Sequence, residues 1–194
     1  AREMVEAQPD NYRGYFITGK CLMDMGNSSE ALEMLAKARE LAPTELTVIE
    51  HQSGAHRQNG DLDQALQFAR EMVEAQPDNY RGYFITARSY LDKENVTEAL
   101  NYINEAEMRS NSKSYSTVNL LQSEINKRLG NRNEAFEYAL YAANHDKDNA
   151  KAWYLAGIRA RESYRLDSAI DYLNLALELV PDFIDAIIAL VNVN

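Results

Sequence analysis

Three histidines (His51, His56 and His145), a single cysteine (Cys21) and the triplet Asp146-Lys147-Asp148 are the residues whose types could support metal or covalent chemistry. His51 and His56 stand five apart on one predicted helix, off the i, i+4 spacing that turns two imidazoles towards one metal. The acidic triplet opens like a calcium loop but lacks that loop's glycine and its terminal glutamate. Cys21 has no second cysteine for an intramolecular disulfide and is expected as a small buried apolar residue. No HExxH, paired CxxC, phosphate loop or dinucleotide glycine pattern is present. Asn27-Ser28-Ser29 and Asn95-Val96-Thr97 fit the glycosylation pattern, which matters only in a secreted eukaryotic setting. The expectation is a non-catalytic protein with no metal or cofactor. A different chemistry is left, that of recurring cations and rings: Arg13, Lys20, Arg81, Arg88, Lys151 and Arg161, with Phe16, Phe84 and Tyr154 among them.

The recurrence has a period. Residues Ala1–Thr18 return letter for letter as Ala69–Thr86, an offset of 68 residues, and weaker similarity appears at half that spacing. Gly26, Ala31, Ala38 and Pro43 are followed by Gly60, Ala65, Met72 and Pro77, then Ala99 and Ala106, then Gly130, Ala135 and Ala142, then Ala169, Ala176 and Pro181. Only 8 glycines and 4 prolines in 194 residues argue against a many-turned β architecture, and 45% hydrophobic residues exclude wholesale disorder. No apolar run approaches the roughly 20 residues that cross a bilayer, and the first residues lack the apolar core of a signal peptide. Membrane insertion is therefore not expected, and the compartment stays open between cytoplasm and periplasm.

The pattern resembles the tetratricopeptide repeat, a 34-residue helix-turn-helix unit. Trp153, Gly157, Ala169, Leu173, Ala176 and Pro181 match its template best, and Tyr15, Gly19, Leu22, Gly26, Ala31, Leu35, Ala38 and Pro43 follow it. Full units then run 12–45, 46–79, 80–115, 116–149 and 150–183, with half units at 1–11 and 184–194, in one solenoid over 1–194. The third unit has two extra residues, Glu94 in place of the turn glycine and no closing proline, so its turns are the hardest to place. Small residues at unit positions 8, 20 and 27 are expected to let helices approach closely, with Tyr15, Leu35, Tyr83, Ile103, Trp153 and Leu173 filling the spaces between. Asn27, Asp61, Asn95 and Asn131 are expected to cap the second helices, a role Arg165 cannot fill. The resemblance implies an all-α, right-handed superhelix of about 12 helices in antiparallel pairs, with the first helix of each unit lining a concave groove.

On this frame the net charge of −10 divides unevenly. The six first helices carry 11 Lys and Arg against 6 Asp and Glu, a net of +5, which leaves −15 for the rest of the chain. Arg13, Arg81 and Lys151 recur at unit position 2, Phe16, Phe84 and Tyr154 at position 5, Lys20 and Arg88 at position 9, and Arg57, Lys127 and Arg161 at position 12. These positions share roughly one helix face. The expectation is a basic, aromatic-dotted groove for a protein or peptide segment, with an acidic or carboxylate-bearing ligand favoured. Overall acidity disfavours nucleic acid. The chaperone-tail clamp known in this family is not reproduced, because Phe16, Lys20, His51 and Ile85 stand at four of its five positions and only Arg81 has the right character.

Two other readings rest on the same residues. The 18-residue identity, flanked by divergent sequence, suggests recent duplication or deliberate construction, hence a scaffold with no dedicated ligand. The chain opens in a second helix and closes on the apolar first helix Ile184–Val191, so head-to-tail self-association is expected if no polar helix covers these ends. An accessory region of a larger enzyme or secretion complex would look the same, and an RNA-binding helical repeat is the remotest alternative.

Overall fold

The structure, a computed structural model, describes residues 9–193. Among the described residues there are eleven α-helices and no strand: α1 (Tyr12–Asp24), α2 (Ser28–Leu41), α3 (Leu46–Asn59), α4 (Leu62–Ala75), α5 (Tyr80–Asp92), α6 (Val96–Arg109), α7 (Tyr115–Leu129), α8 (Arg132–His145), α9 (Ala150–Glu162), α10 (Leu166–Leu179) and α11 (Ile184–Val191). The half-unit helix expected over 1–11 lies, except for residues 9–11, outside the described residues. The chain divides into two compact units, residues 1–102 and 103–194, and the dividing point falls inside α6.

Within the first unit α1 pairs with α2 and α3 with α4, while α2 packs on α3 and α4 on α5. Helix α3 also touches α1 and α5, so these three first helices form one layer. Small residues at position 8 make the pairing tight. A Cβ added at Gly19 would lie 2.8 Å from Leu35 and 3.3 Å from the Ala31 carbonyl oxygen. Where position 8 is serine, its hydroxyl takes up the approach instead, and Ser53 donates to the Ala65 carbonyl at 2.8 Å. The position-20 alanines and Leu35 are wholly buried. At the end of this unit Tyr102 stacks on Tyr90 at 5.4 Å.

The second unit follows the same rules with α7 to α11 packed in succession. Ser123 donates to Ala135 at 2.7 Å, as Ser53 does to Ala65. A Cβ on Gly157 would meet Leu173 at 2.7 Å. Volumes compensate across the pair: glycine at position 8 faces leucine at position 24 (Gly157 and Leu173), whereas serine there goes with alanine (Ser123 and Ala139). Trp153 is buried, and its Nε1 donates to the Lys147 carbonyl at 2.9 Å, so the large ring has its one polar atom satisfied.

Every turn inside a helix pair closes in one way. Gly26, Gly60 and Gly130 have φ between 78 and 86°, and the next amide reaches back to the carbonyl five residues before it: Asn27 to Leu22, Asp61 to His56, Asn131 to Asn126. The third unit keeps this geometry although glycine is missing. Glu94 takes φ 59° and Asn95 donates to the Tyr90 carbonyl at 3.0 Å; Tyr164, φ 62°, does the same in the last pair. Left-handed backbone costs a residue with a Cβ about 1–2 kcal/mol, so the packing of the flanking helices imposes the turn. In place of the missing proline, Ser114 and Asn111 bond each other's backbone and side chain across residues 110–114.

The capping expectation needs correction. Asn27 and Asn95 accept from Glu30 and Glu98 amides as expected. Asp61 makes no cap bond and accepts instead from Asn59 at 2.7 Å, while Asn131 donates to Asn126. Sharper caps sit at the unit starts, where Asn11, Asn79 and Asn149 accept from Arg13, Arg81 and Lys151 amides at 3.0–3.1 Å.

Candidate functional site

The first unit holds a cleft of about 190 Å³ across its layer of first helices. Helix α3 supplies Glu50, His51, Gly54 and Arg57, α5 supplies Phe84, Ile85 and Arg88, and α1 supplies Met23. On a helix, residues three and four apart share a face, which is why 50, 54 and 57 line one wall and 84, 85 and 88 the other. In repeat numbering these are positions 5, 6, 9 and 12. Gly54 leaves room for Met23, whose Cε would lie 3.1 Å from a Cβ added there.

The electrostatics are mixed. Arg57 is paired to Asp92, and Arg81 Nε lies 3.6 Å from Glu50. Arg88 has no ion pair among the described residues. Arg88 is exposed, yet contact with the cleft wall and repulsion from Arg57 pull its guanidinium below the usual arginine range, while Asp92 and Glu50 oppose this. An exposed cation without an ion partner is free to take an anion. Beside it, Phe16 meets the His51 ring edge-on at 4.9 Å, and His51 Nδ1 lies 2.7 Å from the Thr47 carbonyl, which fixes the imidazole against Phe16. Apolar faces and one available cation thus share a small concavity.

Of the residues singled out from sequence, Phe84 and Arg88 line this cleft, Phe16 flanks it through His51, and Arg81 reaches its Glu50. Arg13 and Lys20 are exposed on α1. Lys151, Tyr154 and Arg161 belong to the second unit: Lys151 is exposed, Tyr154 packs its ring on Phe183 at 5.1 Å, and Arg161 borders a separate pocket at the end of α9. The cleft also uses Met23, Glu50 and Gly54, which composition did not mark out, and His51, which it raised in another role. Their signal was available, since Glu50 and Gly54 occupy the same repeat positions as Phe84 and Arg88 without carrying the ring or the cation that draws attention.

Two expectations are revised. Cys21 is exposed, not buried, because position 10 of this unit faces outward. The net +5 of the first helices, which already counts Glu50 and Asp92, is also not free charge, because these two carboxylates pair with Arg81 and Arg57. Among the described residues no group of three or more His, Cys, Asp or Glu is placed to hold a metal, and no helix is long and apolar enough to cross a membrane.

Comparison with known proteins bears on the architecture. Residues 53–114 match the tetratricopeptide repeat model. Among solved structures, a thermophilic TPR protein of Thermus thermophilus is 19% identical, with a TM-score of 0.79 over 94% of this chain and 98% of that one. The APC/C hetero-tetramer Cut9-Hcn1 is 16% identical with a TM-score of 0.81 over 99% of this chain, which spans only 38% of that protein. YrrB, described as a TPR protein with an unusual peptide-binding site, is 18% identical with a TM-score of 0.61 over 97% of this chain and 96% of its own.

Proposed function

From the premise that this chain is a tetratricopeptide-repeat protein, we propose that it is an interaction scaffold whose cleft between α1, α3 and α5 binds a peptide segment. The observation that carries the reading is Arg88, an exposed cation without an ion pair among the described residues, set against Met23, Phe84 and Ile85 in a concavity. Such a site suits an acidic side chain on Arg88 with an apolar neighbour on Phe84 and Met23. Protein partners accord with the repeat, and YrrB is a structural relative described by its peptide-binding site. Arg13, Lys20 and Arg81 would steer an acidic segment towards the cleft from its rim.

The test uses synthetic nine-residue peptides bearing Glu flanked by Leu or Phe, with Gln replacing Glu as control, followed by fluorescence anisotropy. Arg88→Glu is expected to weaken the Glu peptides about tenfold, close to 1.4 kcal/mol, and to leave the Gln peptides little changed. Equal affinity of both peptide sets for wild type and variant would remove the reading. A second reading, self-association, is favoured by one observation: α11 leaves Ile184 68%, Ile188 54% and Val191 71% exposed. Light scattering over a concentration series is then expected to show mass rising with concentration, and a constant monomer mass would refute it.

A further inference from the structure

The second unit carries a larger pocket, of about 450 Å³, where the ends of α7 and α9 meet the start of α8. Its wall is formed by Lys127, Arg132, Arg161, Glu162 and Tyr164, with Gly130 at the turn. The charge around it does not cancel. Glu162 gives one oxygen to the buried Arg159 at 2.8 Å and holds Lys127 only at 3.7 Å, outside hydrogen-bond distance. Arg159 also pairs with Glu124, which takes Arg128 as well. One carboxylate, Glu162, therefore lines the pocket with three cations, Lys127, Arg132 and Arg161, in a chain whose net charge is −10.

The obvious use of last-turn cations is to balance the negative ends of α7 and α9. Those ends are already closed: Gly130 and Asn131 amides bond the Lys127 and Asn126 carbonyls, and Tyr164 and Arg165 amides bond those of Arg161 and Ala160. Arg161 has no hydrogen bond or ion pair to its side chain among the described residues, and it is only partly exposed. Arg132 is held in place across the pocket, donating to the Tyr164 hydroxyl at 3.1 Å with its guanidinium 5.6 Å from that ring. Asn131 does not cap α8 with its side chain, and Glu134, the acidic residue of that first turn, does not line the pocket.

The geometry points to a binding site for a phosphate monoester in this pocket, held by Arg161, Lys127 and Arg132. A doubly charged group matches the surplus of cations better than a single carboxylate does, and the guanidinium fork fits tetrahedral oxygens. The volume exceeds what one phosphate needs, which leaves room for the group bearing it. The site lies wholly within residues 103–194 and does not depend on the peptide cleft.

Isothermal titration of the full chain at fixed ionic strength with O-phosphoserine, a capped phosphoserine tripeptide, inorganic phosphate and acetate tests this. The phosphate esters are expected to bind at least tenfold more tightly than acetate, and Arg161→Gln and Lys127→Gln are each expected to weaken them about tenfold. The tripeptide binding better than the free amino acid assigns a phosphorylated side chain, and the reverse assigns a small phosphorylated molecule. No preference for phosphate over acetate overturns the proposal, as does undiminished binding in both variants. Arg132→Gln serves as the third variant if either of the others fails to give the wild-type circular dichroism spectrum.

Discussion

Arg159→Ala is expected to lower the stability of the second unit by about 2–3 kcal/mol in urea denaturation. Arg159 is 3% exposed and bridges Glu124 at 2.7 Å, Glu162 at 2.8 Å and the Ser123 hydroxyl at 3.3 Å. Breaking a buried ion pair by removing one partner usually costs about 3–5 kcal/mol. Both carboxylates remain about one-third exposed, 33% and 29%, so water recovers part of that loss. The aliphatic stem also packs in the core, and Arg159→Met, which keeps much of that packing, is expected to be the milder change. A loss below 0.5 kcal/mol for the alanine variant would contradict the bridging role.

Gly82→Ala is expected to cost about 2 kcal/mol, within the usual range of about 1–3 for overpacking. Its added Cβ would lie 2.8 Å from the Val73 amide nitrogen and 3.1 Å from the Met72 carbonyl carbon, both backbone atoms of α4. Backbone cannot rotate aside as a leucine tip can, so α4 and α5 must separate. Gly19→Ala meets the Leu35 side chain at 2.8 Å and is expected to be tolerated better than Gly82→Ala. Equal melting temperatures for wild type and Gly82→Ala would show that α4 and α5 are not held at this distance.

The repeat made the fold readable before any coordinate. Glycine, serine or alanine at position 8 and alanine at position 20 are demands of close helix approach, and these leave marks in the sequence. What could not be read was the fate of individual charges. Arg159 counted among the groove-side cations, yet it is buried under Glu124 and Glu162, because its partners come from another helix 35 residues away and from its own last turn. Arg13 and Arg81 lie in identical 18-residue segments and are both exposed, but Arg81 meets Glu50 whereas Arg13 has no ion pair among the described residues. Identical local sequence therefore gave identical caps and the same threonine hydroxyl bond to the carbonyl four residues back, 2.8 Å at both Thr18 and Thr86, while ion pairing followed the neighbours. Glu94 was a further limit: sequence marked it as a departure from the template, and the turn formed around it regardless.

The most direct measurement of the central claim is a nitrogen-15 amide NMR titration of the full chain with the Glu-bearing nine-residue peptides. Shifts are expected to concentrate on the cleft walls, at Glu50, Gly54 and Arg57 of α3 and Phe84 and Arg88 of α5, and to fade in Arg88→Glu. Shifts confined to α2 and α4, or none at millimolar peptide, would contradict a peptide site on the layer of first helices.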